Sequence, residues 1–163
     1  AYENLSELPE SVKQIIDVEN SENLVIQHNN DLAYSQVSDQ AKKDGVIIEG
    51  LSEALVNHSE LVQKYFMTKA VDIDEHRLTA LHTALMNGGI FVYIPKNVVV
   101  EHPIQYVVLH DDDNASFYNH VILVTEESAE VTYVENYLSN ANGEDNQINI
   151  VSEVIAGANS NVT

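Results

Sequence analysis

The chain has 163 residues, 7 basic against 26 acidic side chains, a formal net charge of −19 and no cysteine. A charge of that sign with no basic stripe rules against a nucleic-acid grip and disfavours anionic membrane surfaces. The absence of cysteine removes disulfides, a thiolate nucleophile and any Cys-held zinc or Fe–S cluster from this stretch, while a hydrophobic fraction of 44% still suits a globular fold.

In chain order, Pro9 suits a helix's first turn, where its missing N–H is not needed, and Glu10 adds the charge that the helix dipole favours. Val12, Ile15 and Ile16 supply a short apolar stripe. Leu24-Val25-Ile26 and Leu32-Ala33-Tyr34 read as strands around a His28-Asn29-Asn30-Asp31 turn, and Val46-Ile47-Ile48 as a third, entered through Asp44-Gly45. From Ser52 the period turns helical through Leu55, Val62 and Phe66, with a break near Asn57-His58-Ser59. A further helix is expected from about Asp74 to Met86, capped by Asp72 or Asp74 and stopped by Asn87-Gly88-Gly89.

After Gly89 the helical signal gives way to strands at about Ile90–Ile94, Val98–Glu101, Ile104–Leu109, Phe117–Val124, Glu130–Leu138 and Ile148–Ile155. The stretch from Ile122 to Thr132 aligns, at an offset of 31, with that from Glu153 to Thr163. Each copy runs from an apolar strand through a small or acidic turn into Val-Thr, and Tyr93 to Val100 has the same strand–polar–strand form. Such an echo signals stacked coils of a parallel β-helix or successive hairpins of a β-sandwich.

Seven histidines invite a metal reading. His76 and His82 are six positions apart on one expected helix, which leaves them on opposite flanks and unable to chelate one ion together. His82 shares a face with Leu78, Leu81 and Leu85, so a satisfied core histidine is the better account. His102 precedes Pro103 and His120 lies within a strand, whereas His110 leads into Asp111-Asp112-Asp113. That last group mixes hard and borderline ligands, although an acidic run between strands is more often a solvated turn. No Gly-x-Ser-x-Gly elbow, phosphate-cradling glycine loop or specified carboxylate pair occurs. The residues alone therefore define no catalytic, cofactor-binding or metal site. A β-helix polysaccharide-acting enzyme and a small metal-handling protein are two functions that the residues leave open.

The segment from Asn87 to Glu101, Asn-Gly-Gly-Ile-Phe-Val-Tyr-Ile-Pro-Lys-Asn-Val-Val-Val-Glu, resembles a motif of the SufB/SufD family of iron–sulfur cluster assembly proteins. Pro103-Ile104-Gln105 continues the pattern, Leu81 to Leu85 looks like the helix leading into it, and His120–Val124 with Val131–Glu135 looks like its first strand repeat. Lys43–Ile48 and His58–Val62 also fit, so the resemblance covers about residues 40 to 140, with an overall look nearer the SufD type. It implies a mainly β chain: an N-terminal α/β segment over 1–89, then over 90–163 the first coils of a right-handed parallel β-helix. It further implies a non-enzymatic cytoplasmic scaffold that works with SufB and the ATPase SufC and carries a transient Fe–S cluster on the whole complex. The residues credited with cluster assembly lie in a half of the family that this chain does not match, so none transfers to a position here. Ala1-Tyr2 at the start and a strand just opening at Asn161-Val162-Thr163 lead us to expect a fragment. Its final strand region, with Val151, Val154 and Ile155, is expected to be sticky enough for self-association.

Overall fold

A computed structural model of the chain describes residues 1–67, 88–111, 117–139 and 148–163. Among the described residues its α-helices are α1 (Glu10–Lys13), α2 (Asp39–Lys43), α3 (Leu51–Asn57) and α4 (Ser59–Met67). The first strands are β1 (Asn23–His28), β2 (Asp31–Gln36), β3 (Ile47–Gly50), β4 (Gly89–Ile94) and β5 (Ile104–His110). They are followed by β6 (Phe117–Thr125), β7 (Glu130–Val131), β8 (Tyr133–Ser139), β9 (Ile148–Ala156) and β10 (Asn161–Val162). The chain is mainly β, and its described residues form two four-stranded sheets in the orders β2-β1-β5-β8 and β3-β4-β6-β9 and a small β10-β7 pair.

Local chemistry explains the early elements. Asn29 takes φ 53° in the β1–β2 turn, a left-handed conformation that asparagine tolerates better than most residues. The Ser38 hydroxyl accepts from Ala41 N at 3.1 Å to cap α2, and Lys42 and Lys43 complement the dipole at its last turn. Gly45 then reverses the chain at φ 83°. The expected break between helices falls at His58, which leaves the helical region at φ −136° and ψ 45°.

The later strands run in parallel ladders with a fixed step. Gly89 pairs with His120 and His120 with Val151, 31 residues on each time. The short third ladder keeps the same step, with Val99 bridged to Glu130 and Glu130 paired with Asn161. On the other sheet Ile104 pairs with Tyr133, a step of 29. The backbone is left-handed at Asn97, Ser128 and Asn159, with φ of 64°, 60° and 57°, again 31 apart. The sequence echo is thus the physical register, since Leu123 faces Val154, Thr125 faces Ala156 and Val131 faces Val162.

The core lies between the two large sheets, where Val25, Ile90, Val92, Ile104, Tyr106, Val121 and Leu123 are buried. Both sheets are also covered outside. Leu8, Val12 and Ile16 pack against Leu24, Ile26 and Val107 on one, while α3 and α4 place Leu51, Ala54 and Val62 against Phe91, Ile122 and Val124 on the other. Burial on both faces explains why Ile90–Ile94, Tyr106–Leu109 and Val121–Val124 read as continuous apolar runs rather than alternating ones. The N-terminal strands belong to the same sheets: β1 is parallel to β5 and β3 antiparallel to β4.

Two strand expectations need correction. Val98–Glu101 is not a strand but a corner that contributes a single bridge at Val99. Glu130–Leu138 is two strands, broken at Thr132, where the chain leaves the short ladder and the Thr132 carbonyl accepts from Ile104 N at 2.8 Å. The helix expected at Asp74–Met86, with His76 and His82, lies outside the described residues, as do Asp112 and Asp113. Among the described residues no helix is long and apolar enough to cross a membrane.

Candidate functional site

The histidines among the described residues are dispersed. His58 Nε2 lies 3.2 Å from Glu49 Oε1 at the break before α4. His102 offers its carbonyl to Asn23 Nδ2 at 3.1 Å, so its backbone serves to anchor the start of β1. His110 is buried at the end of β5. Its neighbour Asp111 turns instead to the β1–β2 turn, with His28 Nε2 at 2.8 Å and Asn29 Nδ2 donating at 2.8 Å. Those hydrogen bonds, Asn29's first and then His28's, hold the Asp111 carboxyl below the usual carboxylate range. Among the described residues no group of three His, Cys, Asp or Glu side chains is placed to hold a metal ion.

The resemblance motif has a backbone role here. Gly88 and Gly89 take φ of 104° and 141°, conformations that favour glycine. A Cβ at Gly88 would meet Gln27 Nε2 at 2.6 Å. Gln105, in the Pro103-Ile104-Gln105 continuation, is buried and acts as a staple. Its Oε1 accepts from Asp17 N at 2.8 Å, and its Nε2 donates to the carbonyls of Asp17 and Asn20 at 3.1 and 3.2 Å. The turn before β1 is thereby pinned to β5.

Two carboxylates gather tyrosines. Glu126, just after β6, accepts from the hydroxyls of Tyr65 on α4 and of Tyr93 on β4, the latter at 3.2 Å. Burial first, then the Glu126 carboxylate, raises both phenol pKa values, so both remain donors at physiological pH. Glu135 is paired with the fully buried Tyr106 and therefore shares the inward face of β8 with Tyr133 and Tyr137. Tyr133 donates to Glu135 Oε1 at 2.6 Å, and Ser152 Oγ stands 3.4 Å from the same oxygen. Sequence reading missed this inward carboxylate. The signal was the 29-residue step from Ile104, Tyr106 and Val108 onto Tyr133, Glu135 and Tyr137.

The strands β8 and β9 end their sheets among the described residues. Ile150 and Val154 of β9, which pair with the buried Asn119 and Leu123, are 41% and 55% exposed. Ile155 points the other way and packs against the α3–α4 cluster, so the open apolar surface is Ile150 and Val154 rather than Ile155.

These observations define a chain of stacked parallel strands in which the motif residues shape backbone and fasten segments together. Residues 7–106 match the family model described as the SufBD protein N-terminal region. The chain is 47% identical over 161 residues to the iron–sulfur cluster assembly protein SufD of Bacillus subtilis (strain 168), covering 98% of this chain and 37% of that protein. It is 27% identical over 143 residues to an iron–sulfur cluster assembly SufBD family protein of Staphylococcus aureus (strain USA300), covering 83% and 30%. A SufBD family protein of Staphylococcus saprophyticus matches at 27% over 137 residues, 79% of this chain and 29% of the relative. The chain belongs to the SufB/SufD family, and it spans about a third of the length of the relatives it matches.

Proposed function

We propose that this chain is part of a SufD-like, non-enzymatic scaffold component of a SUF-type iron–sulfur cluster assembly complex. One observation carries the reading: 47% identity to a SufD over 98% of the chain. In this proposal the full-length protein works in the cytoplasm with SufB and the ATPase SufC. The nascent cluster is the complex's cargo, and its ligands come from outside this cysteine-free stretch.

The architecture is proposed as an α/β segment over 1–89 seated on the first coils of a right-handed parallel β-helix over 90–163. The recurring 31-residue step on two ladders and the matching left-handed corners support it. Right-handed crossovers are the rule for parallel strands. A β-sandwich would pair its strands mainly antiparallel, which disfavours that alternative.

The test is co-purification of the full-length chain with a tagged ATPase partner. Elution with SufC and SufB is expected; a folded full-length chain that elutes without the ATPase would overturn the proposal. The polysaccharide alternative would instead appear as glycan cleavage. Calorimetry of this chain with Fe²⁺ and Zn²⁺ at neutral pH is expected to give no stoichiometric site of sub-micromolar affinity, and finding one would revive the metal-handling alternative.

A further inference from the structure

We propose that Gln27, Tyr106, Asn119 and Tyr137 form a rivet between the two sheets that fixes the register of the N-terminal hairpin on the strand stack, and that Gly88 is kept free of a side chain to make room for it. This goes beyond the assembly role and does not depend on it. The four side chains come from β1, β5, β6 and β8. Three belong to one large sheet, and Asn119 reaches them from the other.

The hydrogen-bond accounting closes on the amides. Gln27 Oε1 accepts from Tyr106 OH at 2.6 Å, and Gln27 Nε2 donates to Asn119 Oδ1 at 3.0 Å and to the Asn29 carbonyl at 2.8 Å. Asn119 Nδ2 donates to the hydroxyls of Tyr106 at 3.2 Å and Tyr137 at 3.3 Å. Both N–H bonds of each amide are therefore used. Gln27, Tyr106 and Asn119 are 1%, 0% and 0% exposed, so a lost partner cannot be replaced by bulk water. Burial keeps the Tyr106 hydroxyl protonated throughout the physiological range.

Such a network discriminates between registers. A one-residue slip of β1 against β5 would turn Gln27 to the opposite face and bring Ile26 or His28 to the amide and phenols. The β1–β2 pairing shifts between Ile26 and Gln27, at the residue that joins the network. A Cβ on Gly88 would stand 2.6 Å from Gln27 Nε2 and 3.3 Å from Asn119 Oδ1, so the glycine borders the two amides directly.

The test uses the full-length chain with Tyr106→Phe, Gln27→Leu, their double variant and Gly88→Ala. Hydrogen exchange is read by mass spectrometry over residues 23–36 and 148–156. Tyr106→Phe is expected to speed exchange in 23–36 by about tenfold or more, with less than about twofold change in 148–156. The double variant is expected to exchange no faster than the worse single variant, because both remove the same contact. Gly88→Ala should loosen 23–36 in the same selective way. Should any of these fail to fold, Tyr137→Phe, which removes the rim hydroxyl that Asn119 Nδ2 reaches, is expected to give the same selectivity at smaller amplitude. Equal loosening of both segments, or strictly additive effects of Tyr106→Phe and Gln27→Leu, would overturn the rivet and leave a generic polar core.

Discussion

Gly89 and His120 face each other across the β4–β6 ladder, and a Cβ on Gly89 would stand 1.9 Å from the His120 carbonyl oxygen. The residue also sits at φ 141°, so a side chain there meets both a strained backbone and a clash with a neighbouring strand that cannot swing away. Gly89→Val is therefore expected to cost at least ~1–3 kcal/mol, the ordinary scale of backbone strain alone. Ala156→Val, on an exposed position of β9, should stay within about 0.5 kcal/mol. Urea midpoints of the two variants decide it. Equal midpoints would mean that the glycine is dispensable.

The left-handed corner at Asn97, Ser128 and Asn159 yields a second expectation. Asparagine enters that conformation more readily than serine, because its short amide can hydrogen-bond locally. Ser128→Asn should raise stability by a few tenths to about 1 kcal/mol, whereas Ser128→Val should lower it by ~1–3 kcal/mol. Thermal melts of both variants check the sign of each. A neutral Ser128→Val would contradict the corner geometry.

What sequence reading reached, and what it missed, divides along one physical line. Strands buried on both faces, such as Ile90–Ile94, announce themselves locally because every position is apolar. The Ile122-to-Glu153 echo was legible because strands paired in parallel at a fixed step share similar demands at matching positions, and it proved to be the pairing register. Partnership between distant strands leaves no local trace. Nothing in Leu24–Ile26 says that it will lie between β2 and β5, or that Gly89 must leave space for a carbonyl 31 residues on. Val98–Glu101 has the composition of a strand but bends after a single bridge. Similarly, Asp111 reads locally as part of a solvated acidic turn, and nothing nearby in the sequence tells that its hydrogen bonds go to His28 and Asn29, some 80 residues away.

Acid should loosen the stack at His120. The side chain is buried, and desolvation lowers its pKa from 6.5 despite the opposing pull of Glu153, whose Oε2 is 3.9 Å away. With the folded pKa below the unfolded one, the unfolded chain takes up the proton first. Stability from this group is therefore complete above about pH 6.5 and is lost as pH falls through the folded-state pKa. Asp111 acts in a lower window, because its own depressed pKa withdraws stability only below the ordinary carboxylate range. Urea midpoints at about pH 7.5 and about pH 5.5 should fall for the wild-type chain and fall less for His120→Gln. An identical slope in the variant would remove His120 from the account.

The open side of β9 sets the last expectation. Ile150 and Val154 stand 41% and 55% exposed on a face that elsewhere lines the core, and among the described residues β8 and β9 are the end strands of their sheets. An end strand offers backbone N–H and C=O groups to another chain, and the apolar pair adds area to be buried. The net charge of −19 opposes contact between two copies, but repulsion between exposed charges is screened within ~8 Å at physiological salt. Residues 1–163 prepared alone are therefore expected to self-associate increasingly as salt rises. Val154→Lys should suppress this by placing a charge in the contact, while Val56→Lys, at an isolated valine 81% exposed on α3, should not. Sedimentation velocity across a salt series reads the outcome. A monomer at high protein concentration and high salt, indifferent to Val154→Lys, would show that the β8–β9 face does not recruit a second copy.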